Sequence, residues 1–312
     1  MESAVRLTDV TKSYGSHTAV RDLSLEVPRG SVYGFIGPNG SGKTTTIRMI
    51  LHIINADRGS IEVLGKQGTR AANDRVGYLP EERGLYKKLK VQQVLEYYAA
   101  LKGMSRADAR IEGAAWLERL GLSDVAGHKV ETLSKGMAQK VQFIATVISR
   151  PELLILDEPF SGLDPVNLEA MREAILELAR GGTTIIFSTH DMAMAERMCD
   201  FVFMIFNGRK VLDGTLAQIR ERYSADTVRL RAEGARAILD GHPAVEKVVD
   251  MGHYQELRLK GDPQALLAEL AGATRVELFE LAKPSLHDIF VRIAGPDAAD
   301  AAQATALAAG DV

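Results

Sequence analysis

Apolar residues in the first 36 positions come in short alternating runs broken by turn residues, as in TAVRDLSLEVPRGSVYGFIG, and this pattern predicts strands. The period then lengthens. TTTIRMILHII (44–54) has apolar positions at helical spacing, GSIEVLG (59–65) and RVGYLP (75–80) read as strands, and from about 88 to 150 the pattern is helical. Strands return with LLILD (153–157) and TTIIFST (183–189), with the helix PVNLEAMREAILELARG (165–181) between them. Near-continuous apolar strands alternating with helices predict a parallel sheet covered on both faces. FVFMIFNGRKVLDG (201–214) predicts a hairpin turning at Asn207-Gly208.

The character changes after about 222. TVRLRAE, VEKVVDMG, YQELRLKG and RVELFEL alternate like half-buried strands, interleaved with the helical ARAILDG and PQALLAELAG. SLHDIF begins with Ser285 at an N-cap and Asp288 three residues on, the start of a capping box. The expectation is a domain over 1–220, with helices inserted at about 88–150, then a small α+β domain over 221–294 of ferredoxin-like type, and a disordered Ala-rich tail over 295–312.

Composition narrows the class. The chain has 312 residues, 46% hydrophobic and 25% charged, enough to fill a core, and its net charge of −3 gives no footprint for nucleic acid or acidic lipid. The single cysteine, Cys199, excludes an internal disulfide and reads as a small core thiol; Trp116 reads as core packing. His242, His253 and His287 match no standard metal spacing. No run approaches ~20 apolar residues and no leader pattern is visible, so a cytoplasmic protein is expected, with any membrane work left to a separate chain.

The chemistry concentrates in two places. Gly37-Pro-Asn39-Gly40-Ser41-Gly42-Lys43-Thr44-Thr45 matches G-x-x-x-x-G-K-[ST], follows a predicted strand and opens a predicted helix. Its glycines let successive N–H groups point at phosphate oxygens, and the helix N-terminus adds about half a positive charge. Lys43 would reach the β- and γ-phosphates and Thr44 would offer its hydroxyl to Mg²⁺. Downstream, LLILDE ends a buried strand in two carboxylates, which are costly to bury without a positive partner. Asp157 fits a Mg²⁺ ligand beside the phosphates, and Glu158 fits the general base that orients and deprotonates the attacking water. His190 ends the next strand, either as an ordinary polar residue or as a γ-phosphate sensor at the same crevice.

These pieces, in this order, resemble the nucleotide-binding subunit of ABC transporters, over roughly residues 3–220. The deciding segment is LSKGMAQK (133–140), similar to that family's LSGGQ signature. The resemblance implies an α/β P-loop NTPase of ABC type: a RecA-like parallel core, an antiparallel β subdomain and an inserted helical subdomain, followed by the α+β domain. It implies ATP and Mg²⁺ as ligands, Tyr14 stacking on adenine, Asp164 in SGLDP contacting a second subunit, and His190 as the switch histidine. It also implies a head-to-tail homodimer in which Ser134 and Gly136 of one copy donate to the ATP held by the other, working on a separate transmembrane permease.

Two departures stand out. Glu81 occupies the position where the family usually has a Gln that touches Mg²⁺ and water; its carboxylate could still bind Mg²⁺, though nearby phosphate would repel it, so it either slows hydrolysis, couples it more tightly to Mg²⁺, or is neutral. Lys135 and Met137 replace Gly and Gln in the signature, Lys135 either adding charge near ATP or facing solvent. LPEERGLYKKLKVQQVLEYYAALKGM, followed by a C-terminal domain ending SLHDIFVRIAG, resembles ATPases of the sodium-extrusion and drug-export type. The expected function is the ATP-hydrolysing motor of an exporter, peripheral on the inner face of the membrane. The alternative is a soluble ABC-type ATPase acting on ribosomes or DNA, and a weaker one a regulatory module with poor turnover.

Overall fold

A computed structural model describes residues 2–67, 74–82, 84–224, 227–282 and 284–295. It divides into two compact units between Asp213 and Gly214.

The first unit opens with long antiparallel strands β1 (Ser3–Tyr14) and β2 (His17–Pro28), then β3 (Val32–Ile36) and helix α1 (Lys43–Ile50). β4 (Arg58–Val63), β5 (Lys66–Gln67) and β6 (Val76–Leu79) follow. Three helices come next: α2 (Val91–Leu101), α3 (Arg106–Arg119) and α4 (Lys135–Val147). β7 (Leu153–Asp157), α5 (Pro165–Arg180), β8 (Thr184–Thr189), α6 (Met192–Met198), β9 (Phe201–Phe206) and β10 (Arg209–Thr215) complete it.

The strands form a four-stranded sheet, β2-β1-β4-β5, and a six-stranded one, β10-β9-β3-β8-β7-β6. In the second, β9, β3, β8, β7 and β6 run parallel. Every residue of β3, β7 and β8 is buried, which is why these segments read as near-continuous apolar runs rather than alternating ones. One core joins the two sheets through α1: Val10 and Leu23 from the first, Phe35, Ile155 and Phe203 from the second, and Ile47, Met49 and Ile50 between them. Within it, Gly34 of β3 has no room for a side chain, because a Cβ there would lie 2.5 Å from Cys199 Sγ. Cys199 is thus the buried core thiol expected. Trp116 is buried as well, edge-on to Phe143 at 5.8 Å.

Two elements differ from the sequence pattern. The helix predicted over 44–54 stops at Ile50. His52 adopts φ 52°, its N–H bonds Met49 O, and Ile53 N–H reaches back to Arg48 O, which is a Schellman closure without glycine. The seven-residue α6, capped by Asp191 accepting from Met194 N–H, was not expected from the sequence.

The second unit starts with α7 (Leu216–Ser224). The boundary expected at 220 falls inside this helix. Thr215 and Gln218 exchange hydrogen bonds at its start, Gln218 N–H to Thr215 Oγ1 and Thr215 N–H to Gln218 Oε1, so the helix is a single piece begun at the junction. β11 (Thr227–Ala232), α8 (Arg236–Leu239), β12 (Val245–Asp250), β13 (Gln255–Leu259), α9 (Pro263–Ala273), β14 (Val276–Leu281) and α10 (Leu286–Ala294) follow. The antiparallel order β12-β13-β11-β14 is that of a ferredoxin-like βαββαβ sheet, with Val228, Leu230, Leu257, Leu266 and Leu270 at its centre. Ser285 and Asp288 form the capping box of α10. The tail expected to be disordered lies, beyond Gly295, outside the described residues.

Candidate functional site

The turn from β3 into α1 is built from glycines that no other residue fits. A Cβ on Gly37 would lie 2.3 Å from Ile205 O, and Gly42, at φ 111°, would meet Ala19 O at 2.6 Å. Because Gly42 is the N-cap of α1, the helix has no side-chain cap, and its first N–H groups are left for something else. Ser41 Oγ is buried beside them without a hydrogen-bond partner. From behind, the β9–β10 turn braces the loop: Gly208 N–H donates to Ser41 O at 2.9 Å, and Gly208 O accepts from Arg21 N–H at 2.8 Å.

Lys43 is buried, and its ammonium donates to Gly37 O at 2.6 Å and Pro38 O at 3.2 Å. Burial pushes it below the ordinary lysine value, while Glu158, Asp157 and Glu81 pull it back up. Across the cleft, the buried Asp157 accepts from Ser188 Oγ on one oxygen and from Thr44 Oγ1 at 3.3 Å on the other. Burial raises its carboxyl above the usual range. Glu81 is raised for the same first reason, and then by Asp157 and Glu158. Three carboxylates around one ammonium leave the cleft short of positive charge.

Glu158 turns away from Asp157 through a left-handed backbone, φ 47°. That backbone is sparsely populated for a side-chain-bearing residue and is held here by its contacts. Glu158 Oε1 faces His190 twice, accepting from the backbone N–H at 3.1 Å and lying 2.9 Å from Nδ1; Oε2 accepts from Thr189 Oγ1 at 3.4 Å. The bond to Glu158 raises the His190 pKa, against the effect of burial.

A cleft of about 420 Å³ gathers Tyr14, Asn39, Gly40, Ser41, Gly42, Lys43, Thr44, Thr45, Glu81, Asp157 and Glu158, with Gly37 and His190 joined to it through the bonds above. Tyr14 stands half-exposed at its rim, with Lys12 Nζ 5.6 Å from its ring centre. His17 and Ala19 also line the cleft and were missed from the sequence; His17 arrives by pairing with Tyr14 across the β1–β2 hairpin. Three expected residues are elsewhere. Asp164 caps α5, accepting from Val166 N–H at 3.1 Å and Asn167 N–H at 3.0 Å. Ser134 caps α4, accepting from Met137 N–H at 3.2 Å. Gly136 sits in that helix's first turn, where a Cβ would make only ordinary contacts at 3.6 Å and 3.7 Å.

Comparison with known proteins shows the family of the chain. The profile described as "ABC transporter" matches residues 20–161, and "ATP-binding protein DrrA1-3-like, C-terminal domain" matches 214–294. The chain is 41% identical to the uncharacterized ABC transporter ATP-binding protein YhaQ of Bacillus subtilis (strain 168), over 92% of this chain and 97% of that protein. The chain belongs to the ABC transporter ATP-binding subunits. It is 35% identical to the Nod factor export ATP-binding protein I of Burkholderia orbicola (94% of this chain, 97% of that one). It is 33% identical to the linearmycin resistance ATP-binding protein LnrL of Bacillus subtilis (92% and 97%). Among solved structures, an ATP-binding subunit of an ABC transporter superposes with TM-score 0.67 at 33% identity, covering 71% of this chain and 93% of that one. ABC ATP-binding subunits of transporters bind ATP, hydrolyse it to power transport, and work with separate membrane subunits. Among the described residues, no helix is long and apolar enough to cross a membrane.

Proposed function

We infer that this ABC subunit is the motor of an exporter, that it binds ATP with Mg²⁺ in the β3–α1 cleft, and that two copies close head to tail around the nucleotide. The observation that carries the reading is the Lys43–Asp157–Glu158–His190 constellation at an uncapped helix N-terminus. The free N–H groups and the unpartnered Ser41 hydroxyl suit phosphate oxygens. Thr44, Asp157 and Glu81 offer the hard oxygens Mg²⁺ prefers, and the ion would there neutralise charge on the phosphates and the carboxylates alike.

Lys43 stands on two loop carbonyls, a short reach from the phosphates it would hold. Glu158 takes the proton of the water that attacks the γ-phosphorus, while the bond to the bridging oxygen of ADP breaks. His190 and Thr189 hold the Glu158 carboxylate in place for that step. Ser134 and Gly136 belong to the second copy's nucleotide: the Ser134 hydroxyl accepts within its own helix and keeps its proton to donate.

Export as the direction rests on the relatives named for Nod factor export and linearmycin resistance. A mostly apolar groove of about 460 Å³ between α1, β6 and α2, rimmed by the exposed Ile53 and Leu101, suits the membrane partner. That partner would hold the chain at the inner face of the membrane. No observation favours the ribosome or DNA alternative. The test is phosphate release from Mg-ATP by the chain co-purified with a multi-span membrane protein. A complex that forms but releases no phosphate would overturn the motor reading, and recovery with RNA or DNA instead would overturn transport.

A further inference from the structure

Pro80 and Glu81 are consecutive yet face different spaces. Glu81 lines the nucleotide cleft, whereas Pro80 lines the apolar groove on the other side. The stretch Pro80–Glu82 is therefore the wall between them. One buried side chain from another element grips this wall on both sides of Glu81. Gln142 of α4 donates its amide to Pro80 O at 3.4 Å and to Glu82 O at 3.2 Å. The other end of the same amide, Oε1, is buried without a partner. An unmet buried acceptor is a cost that a methionine of similar length would not carry, so the position is worse for packing than it needs to be and keeps its amide for the donor alone. The neighbouring turn of α4 repeats the device: Gln139, also buried, donates to Pro159 O at 3.2 Å, next to Glu158.

We propose that Gln142 is a positioning residue for ATP hydrolysis: by tying down the carbonyls before and after Glu81, it sets that carboxylate over the Mg²⁺–phosphate region of the cleft. This rests on the motor reading above and on Glu81 acting there. Gln142 itself touches neither nucleotide nor metal, so its loss acts through Glu81 or not at all.

The test is Gln142→Met in the full chain, with phosphate release followed against ATP and against Mg²⁺. Turnover should fall about tenfold, since displacing a cleft group by an ångström is costly. KM for ATP should stay within about twofold, because Lys43 and the loop are untouched. The Mg²⁺ level for half-maximal rate should rise severalfold. The melting temperature should change little, since the removed orphaned acceptor offsets the two lost donor bonds. In a Glu81→Ala background, itself slowed to a similar extent, Gln142→Met should change turnover by less than about twofold. Equal losses with and without Glu81, or unchanged turnover with Glu81 present, would overturn the proposal. If Gln142→Met does not fold, Gln142→Leu also removes both donors without adding a charge, and the same outcomes apply. A wild-type chain that hydrolyses no ATP would sink the motor reading instead; an active one indifferent to Gln142 sinks only this inference.

Discussion

Helices α1 and α4 both begin in motif residues, and their first turns are finished in opposite ways. α1 starts at Gly42, which has no side chain to cap it, so its N–H groups point into the cleft with Ser41 Oγ unpartnered beside them. α4 starts at Ser134, whose hydroxyl accepts from Met137 N–H, and its Gly136 meets no obstacle that would require a glycine. The first end is incomplete without a ligand. The second is complete within its own chain, with Ser134 exposed. In the reading proposed above, the difference separates a seat for phosphate from a surface whose use depends on a second molecule.

The largest effect should come from Glu158→Gln. Turnover should drop by about 10²-fold or more with nucleotide retained, so that dimers accumulate in Mg-ATP on size exclusion. Adding Ser134→Ala to that variant should return monomers without restoring turnover. If Glu158→Gln stays monomeric, the assignment of α4 to a second copy breaks. Next, Lys43→Ala should weaken ATP binding by roughly 10- to 100-fold in calorimetry, as expected for lost charge-assisted bonds, while Ser134→Ala in dilute protein should shift it by less than about twofold. Equal losses would erase the contrast between the two helix ends. Stability sharpens it the other way. Ser134→Ala should cost about 1 kcal/mol in denaturant unfolding through the lost cap. Gly42→Ala should cost about 1–3 kcal/mol through strain at φ 111° and the contact with Ala19 O.

The smallest effect should be a pH dependence through His190. Its pKa is raised in the folded state, first by the bond to Glu158, so the stabilisation is fully present below the ordinary histidine value and is lost as pH rises through the folded-state value. The stability advantage of wild type over His190→Gln should therefore shrink as pH is raised from about 6. A difference constant with pH would mean that the histidine is not paired as a cation.

Legibility in the sequence followed how local each determinant is. The phosphate loop and the Asp157–Glu158 strand end are set by residues adjacent in the chain, and they appear where the pattern puts them. The alternation of strands and helices in the second unit was readable for the same reason, from periodicity; its strand order, which rests on pairings such as β11 with β14, was not. What escaped depends on distant partners. Gln139 and Gln142 gain a role only when the backbone carbonyls of Pro159, Pro80 and Glu82 are placed against them. His17 reaches the cleft only through strand register. Asp164 and Ser134 carry motif letters, but within one chain their oxygens are taken up as helix caps. Thr215-Leu-Ala-Gln218 was a readable capping box, and heeding it moves the domain junction from 220 to the start of α7.

The brace of Gly208 against Ser41 has a consequence for biosynthesis. The glycine loop, near the amino end of the first unit, is propped by a turn about 165 residues further along the chain. A nascent chain therefore presents the glycine loop long before its rear support has left the ribosome. Competence to grip ATP should arrive late, only once the β9–β10 turn has been translated, and fragments ending before it should stay blind to the nucleotide even though every residue of the loop is present.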